Sequence, residues 1–308
     1  MRSTKLFVRV SLLVVILLMA LSLVLSVSAQ EDRLLVWKAP GLAPGDHGAT
    51  QTGQIGFFNE DGTFEPLIDV PEQTSRVLPC GNGALSRDGR HFAFFVGQEV
   101  GSLYMLTDTK NLVEISNDQH AYGCTGNGTF QFSPNSQRFG VVDLGQTPRD
   151  DNFPPLGRLY VANVDDPLNG MEFSNVTAFT LQDDMLAYVG LFVNNKGEAV
   201  EAGIITYDGN TDREVATLFA DEGCRFSSAS IAPASGGRYA VVTGHTCIEG
   251  RVITNWQFYI IDPAERSATQ VGSDEQPSSF FWFARANSLF PTPNGETVLF
   301  TVPDGFAS

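Results

Sequence analysis

From Ala84 to Gln98 the chain reads A-L-S-R-D-G-R-H-F-A-F-F-V-G-Q. Two apolar residues lead into a polar Ser-x-Asp-Gly step, and a run dense in aromatic and β-branched residues follows. Asp88-Gly89 suits a tight turn because glycine accepts positive φ without a Cβ clash, and the flanks favour extended backbone. The stretch therefore predicts a β-hairpin. A second kind of hairpin joins an aromatic-rich strand to a short apolar return through an acidic or glycine turn. It first appears as Gln54 to Phe58, the turn Asn59-Glu60-Asp61-Gly62, and Phe64 to Ile68.

The two kinds recur down the chain. Copies of the first kind are Phe132-Ser133-Pro134-Asn135-Ser136 leading to Phe139–Val142, Ile231 to Gly237 leading to Tyr239–Val242, and Phe290 to Gly295 leading to Thr297–Phe300. Copies of the second kind pair Leu103–Leu106 with Leu112–Ile115, Arg158–Val161 with Val176–Phe179, and Trp256–Ile261 with Thr269–Val271. Turn residues near 89, 136, 197, 236 and 295 then fall about 40 to 60 residues apart. The segment from Met185 to Phe219 fits this scheme least well. Asn194-Asn195-Lys196-Gly197 takes the place of a first-kind turn, and Glu198 to Tyr207 has no break between two strands. The short strand Leu34–Trp37 is left over.

Four strands per repeat at this period describe propeller blades. The expected fold is all-β: a β-propeller of about five to six four-stranded blades, either incomplete or closed by both termini. In the closed version the hairpin at 54–68 and the hairpin at 286–302 share one blade. The repeat resembles the TolB-type, WD40-like (PD40) propeller repeat. Leu85-Ser86-Arg87-Asp88-Gly89 lacks only the proline of its Ser-Pro-Asp-Gly turn, residues 132–136 keep that proline, and Pro293-Asn294-Gly295 is close to it. Tyr104 to Asp108 and Tyr259 to Asp262 match its second hairpin. The resemblance covers most of residues 54–302. It implies a scaffold of blades and supplies no site residue, since propellers host many unrelated roles.

Composition agrees with this picture. The chain has 308 residues, 43% of them hydrophobic, with 23 Phe and 30 Gly. Its formal net charge is −16. Such a field repels phosphate backbones, so nucleic acid is not an expected partner. Arg2, Lys5 and Arg9 precede an apolar run from Val10 to Val27, and Val27-Ser28-Ala29 resembles a cleavage site. Residues 1–29 therefore read as a signal peptide, or as an uncleaved N-terminal anchor, with residues 30–308 exported as one propeller domain. A secreted, periplasmic or extracellular-face location follows, with membrane contact only through an uncleaved N-terminal segment.

An even count of four cysteines in an exported chain suggests disulfides. Three connectivities are open, with four free thiols as the alternative. Cys224 and Cys247 flank the turn at Ser235-Gly236 almost symmetrically, which favours their pairing across antiparallel strands and leaves Cys80 with Cys124. No Cys or His spacing suits a metal, and neither a metal nor a cofactor is expected. Asp208-Gly209-Asn210-Thr211-Asp212 departs from a calcium loop, because Arg213 replaces the required glycine, and reads as a turn between strands. No Gly-x-Ser-x-Gly elbow is present.

The remaining chemistry lies in loops expected to gather on one face of the ring. The ligand-face candidates are Asp46, His47, Asp118, His120, Arg149, Asp150, Asp151 and His245. The first functional expectation is a non-enzymatic binding or scaffold protein that engages a protein or cell-envelope partner through that face. The alternative is an extracellular propeller hydrolase acting on a sugar, ester or peptide, which requires these carboxylates and histidines to converge.

Overall fold

The computed structural model describes residues 34–38, 53–59, 61–70, 76–80, 84–97, 101–107, 111–115, 130–143, 157–249, 251–277, 289–291 and 298–300. The described chain is strand and turn, with one 3-10 turn at Ser235–Gly237. It divides into two compact units, Met1–Glu72 and Gln73–Ser308.

In the first unit β1 (Leu34–Lys38), β2 (Gly53–Phe58) and β3 (Phe64–Val70) form an antiparallel sheet in that order. The strand left over in the sequence is thus the edge strand of this sheet, with Trp37 opposite Ile55. The β2–β3 turn is closed by Asp61, whose carboxylate accepts from both the amide and the hydroxyl of Thr63.

The second unit is built of consecutive four-stranded antiparallel blades, each a simple meander, which is the architecture of a β-propeller. The first blade is β4 (Arg76–Pro79), β5 (Phe92–Gly97), β6 (Gly101–Leu106) and β7 (Leu112–Glu114). The second opens with β8 (Phe130–Phe132), β9 (Arg138–Asp143) and β10 (Gly157–Asn163). Its fourth strand is the first half of β11 (Asp166–Leu181). β11 then leaves one blade and enters the next without a break. Residues up to Val176 pair with β10, and from Val176 onward the strand pairs with β12 (Leu186–Val193). Asn175, at φ 61, marks the changeover. The third blade continues through β13 (Ala199–Tyr207) and β14 (Asp212–Phe219). The fourth is β15 (Cys224–Pro233), β16 (Tyr239–Glu249), β17 (Arg251–Asp262) and β18 (Ser267–Pro277). β19 (Leu289–Pro291) and β20 (Val298–Phe300) pair as the hairpin expected there, in a sheet of their own.

This order corrects the sequence frame in the middle of the chain. Arg158–Val161 pairs with Met171–Ser174, not with Val176–Phe179, and Phe179 belongs to the next blade opposite Tyr188. The first turn of the third blade is Gln182 to Met185, closed by the Gln182 amide on the Met185 carbonyl. Asn194–Gly197 is the second turn of that blade, at its other end. Glu198 to Tyr207 shows no break because Ala199–Tyr207 is a single strand. The blade that fits the repeat least well in sequence is thus a complete four-stranded meander, with a register shift in each of its three strand pairings.

Blades pack face to face through three apolar clusters. Phe95, Leu103 and Met105 meet Phe130, Phe139 and Val141 between the first and second blades. Val142, Leu159 and Val161 meet Phe179, Leu186 and Tyr188 between the second and third. Val189, Leu191 and Ile204 meet Phe226, Val241 and Ile261 between the third and fourth. Gly140 is required at the second of these contacts, because a Cβ there would lie 2.6 Å from the Phe179 ring.

The first turns also link one blade to the next. Ser86 and Asp88 hold their turn through Ser86 Oγ donating to Asp88 at 2.6 Å, while the His91 amide donates to Ser86 Oγ. Ser133, Asn135 and the Arg138 amide repeat the arrangement one blade later. The Asp88 amide donates to Ser136 Oγ at 3.1 Å, and the Asn135 amide donates to Asp183 at 2.7 Å, both across 48 residues. Gln131 likewise spans blades, donating to the Phe179 carbonyl and accepting from the Leu181 amide.

Candidate functional site

Seven of the eight ligand-face candidates, Asp46, His47, Asp118, His120, Arg149, Asp150 and Asp151, lie outside the described residues. His245 is described, and it sits on β16 rather than in a loop, with its side chain fully buried. Its Nε2 is 2.8 Å from Thr243 Oγ1, and its ring lies 4.5 Å from that of Phe226, centroid to centroid. Burial pushes its pKa down to about 4, against the pull of Asp221. Beside it the Tyr259 hydroxyl donates to Gln257, and Gln257 Nε2 donates to Asp221 at 2.9 Å. His245 is therefore a neutral imidazole held within the packing of the fourth blade.

Cys224 and Cys247 are directly opposite on β15 and β16 and form a disulfide, with Cα atoms 4.1 Å apart. The pairing expected from their symmetry about the turn is present, and it is a bond that an oxidising compartment preserves. Cys80 is buried and also disulfide-bonded. Its expected partner Cys124 lies outside the described residues. Asp208 closes the turn between β13 and β14 by accepting from the amides of Asn210 and Thr211, as the turn reading requires.

A different surface collects exposed aromatic and acidic side chains. The third blade runs two residues past its core on β12, where the sequence L-A-Y-V-G-L-F-V is buried through Leu191 and exposed at Phe192 and Val193. Across the sheet Phe192 is registered with Glu201, and Glu201 with Phe219. Side chains of directly opposed residues share a face about 5 Å apart. The result is a row of phenyl, carboxylate and phenyl over three strands. Phe192 is 40% exposed and Phe219 66%. One step up the same face lies Gly203, opposite Gly190. A Cβ built on Gly203 would lie 2.9 Å from the Phe192 ring and 3.4 Å from the Glu214 carboxylate. The missing side chain lets both groups settle onto bare backbone. Glu214 also accepts from Thr217 Oγ1.

The upper part of the same face is closed by packing. Phe173 of β11 lies 5.3 Å from both Tyr188 and Tyr207, and the Tyr207 hydroxyl meets Met171 Sδ. Tyr188 approaches Asp212 at 3.3 Å, and its burial raises the phenol pKa, with Asp212 adding to the effect. The row at Phe192 is the open continuation of this closed interface. The sequence frame kept Phe192 and Glu201 in one hairpin but expected two strands within Glu198–Tyr207, which separated Glu201 from Phe219; the single strand β13 brings them side by side. The available signal was the unbroken apolar run Leu186–Val193, too long for a return strand.

No family model matches the chain, and no curated protein sequence matches it. Among solved structures it is similar to one described as the eukaryotic initiation factor, at 12% identity and TM-score 0.48, over 80% of this chain and 53% of that one. It is similar to puromycin hydrolase at 14% identity and TM-score 0.39, over 86% of this chain and 42% of that one. It is also similar to the β-propeller domain of the trilobed protease from Pyrococcus furiosus, at 10% identity and TM-score 0.29, over 74% and 89%. The chain spans about half the length of the first two. The fold assignment stands on the strand order itself.

Proposed function

We propose that this chain is an exported, non-enzymatic β-propeller that docks a cell-envelope protein through the Phe192–Glu201–Phe219 face of its third blade. One observation carries the reading: two large exposed aromatic side chains flank a carboxylate on one face of three adjacent antiparallel strands. Single exposed apolar residues are ordinary, whereas grouped aromatics on a rigid element are typical of interaction surfaces. Export rests on the basic, apolar and small-residue order of residues 1–29, and the Cys224–Cys247 bond is consistent with it. The hydrolase alternative gains nothing from His245, whose imidazole is enclosed and committed to Thr243.

The test compares binding of purified protein to a solubilised envelope fraction. Phe192→Ser/Phe219→Ser is expected to abolish retention of the partner, while Val271→Ser, at a residue 61% exposed on β18, leaves it unchanged. Equal retention by all three proteins would refute the assignment of this face.

A further inference from the structure

The chemistry of the row specifies what the partner brings to it. Glu201 is half-buried on the strand between those of Phe192 and Phe219, and the Phe192 ring and the Glu214 carboxylate lie over Gly203 on the same face. Neither carboxylate has a salt bridge among the described residues. Arg266 comes near, but its guanidinium donates to the backbone carbonyl of Glu214 at 3.1 Å. The face thus offers two negative charges and two exposed phenyl rings. Ring faces carry negative quadrupole potential, so all four groups favour the same kind of guest. A hydrocarbon alone would leave Glu201 desolvated without a partner, and an anion would be repelled. An alkyl chain ending in a cation satisfies both: its methylenes lie against one of the two phenyl rings, and its charge meets Glu201 and Glu214. The net charge of −16 draws such a guest from a distance.

We infer that the Phe192–Glu201–Phe219 row is a receptor for a lysine or arginine side chain of the docked protein. The inference rests on the docking reading above and names the residue type that the partner presents.

The experiment titrates the purified protein with Nα-acetyl-lysine methylamide and Nα-acetyl-arginine methylamide. The uncharged acetyl-norleucine methylamide and a neutral methyl hexoside serve as controls, with binding followed by NMR. The expected result is that the cationic probes bind about tenfold more tightly than norleucine, which is the size of one cation–π contact with a charge-assisted bond. Glu201→Gln removes the difference without changing shape. Phe192→Leu keeps the apolar volume, guards against loss of folding, and weakens only the cationic probes. If norleucine or the hexoside binds as tightly as lysine, or if Glu201→Gln leaves lysine binding unchanged, the cation receptor is refuted. Loss of the partner by the Phe192→Ser/Phe219→Ser variant would in that case leave the docking face intact. If no probe binds and that double variant retains the partner, both fail.

Discussion

His245 shows how a residue that looks functional in sequence becomes structural. The apolar run Ala240–Val242 gives way to Thr-Gly-His-Thr, which reads as the start of a loop. The strand instead continues to Glu249, with Thr243 and His245 paired to each other inside the blade and the imidazole packed against Phe226. That packing comes from β15, so no local pattern announces it. It has a measurable consequence. The folded pKa of about 4 lies below the ordinary value of 6.5, so the unfolded chain takes up the proton first as pH falls. His245 therefore contributes nothing unfavourable above about pH 6.5, and stability declines from there to about pH 4, by on the order of 3 kcal/mol. Urea unfolding at pH 7 and pH 5 is expected to lose about 2 kcal/mol more in the wild type than in His245→Gln. Equal losses would mean that the imidazole is not buried neutral.

At the scale of the element, the blade repeat was legible wherever a Ser-x-Asp-Gly-like turn marks it. Residues 86–91 and 133–138 bear this out, with nearly identical hydrogen bonds in the structure. The frame slipped where that chemistry is absent. Gln182-Asp183-Asp184-Met185 carries neither Ser nor Gly, and β11 passes between blades with no punctuating residue except Asn175. The stronger turn signal at Asn194–Gly197 captured the assignment, one strand late. The Phe192–Glu201 pair follows from that turn, but Phe219 was missed as the neighbour of Glu201 because Glu198–Tyr207 was expected to hold two strands rather than one. The blade contact that fixes β11 is tight at Gly140, and Gly140→Ala is expected to destabilise the protein by about 1–3 kcal/mol through displacement of Phe179. Thermal unfolding checks this, and an unchanged midpoint would mean that the second and third blades are not packed as described.

Across the whole molecule the blades are held in series. Apolar faces supply most of the contact, and the turn-to-turn bonds Asp88–Ser136 and Asn135–Asp183 fix each blade against the next. Asp183→Ala leaves the Asn135 amide without its acceptor and is expected to cost about 1 kcal/mol in denaturant unfolding. The disulfide closes a 23-residue separation around the first turn of the fourth blade. Cys224→Ser/Cys247→Ser is expected to lower stability by about 3 kcal/mol, and a variant as stable as the wild type would contradict a closed bond. The acidic balance was readable from composition and the N-terminal pattern from residue order, whereas the exposed Phe192–Glu201–Phe219 row needed the sheet register.

The docking claim is tested most directly by site-specific photo-crosslinking in cells that produce the protein. A benzoylphenylalanine placed at position 219 is predicted to capture one envelope protein, through a peptide that contains lysine or arginine, and to lose it when Glu201→Gln is added. The same probe at position 271, equally exposed on the fourth blade, is predicted to capture nothing in common with it. An identical pattern from both positions, or no adduct at 219, would contradict the account.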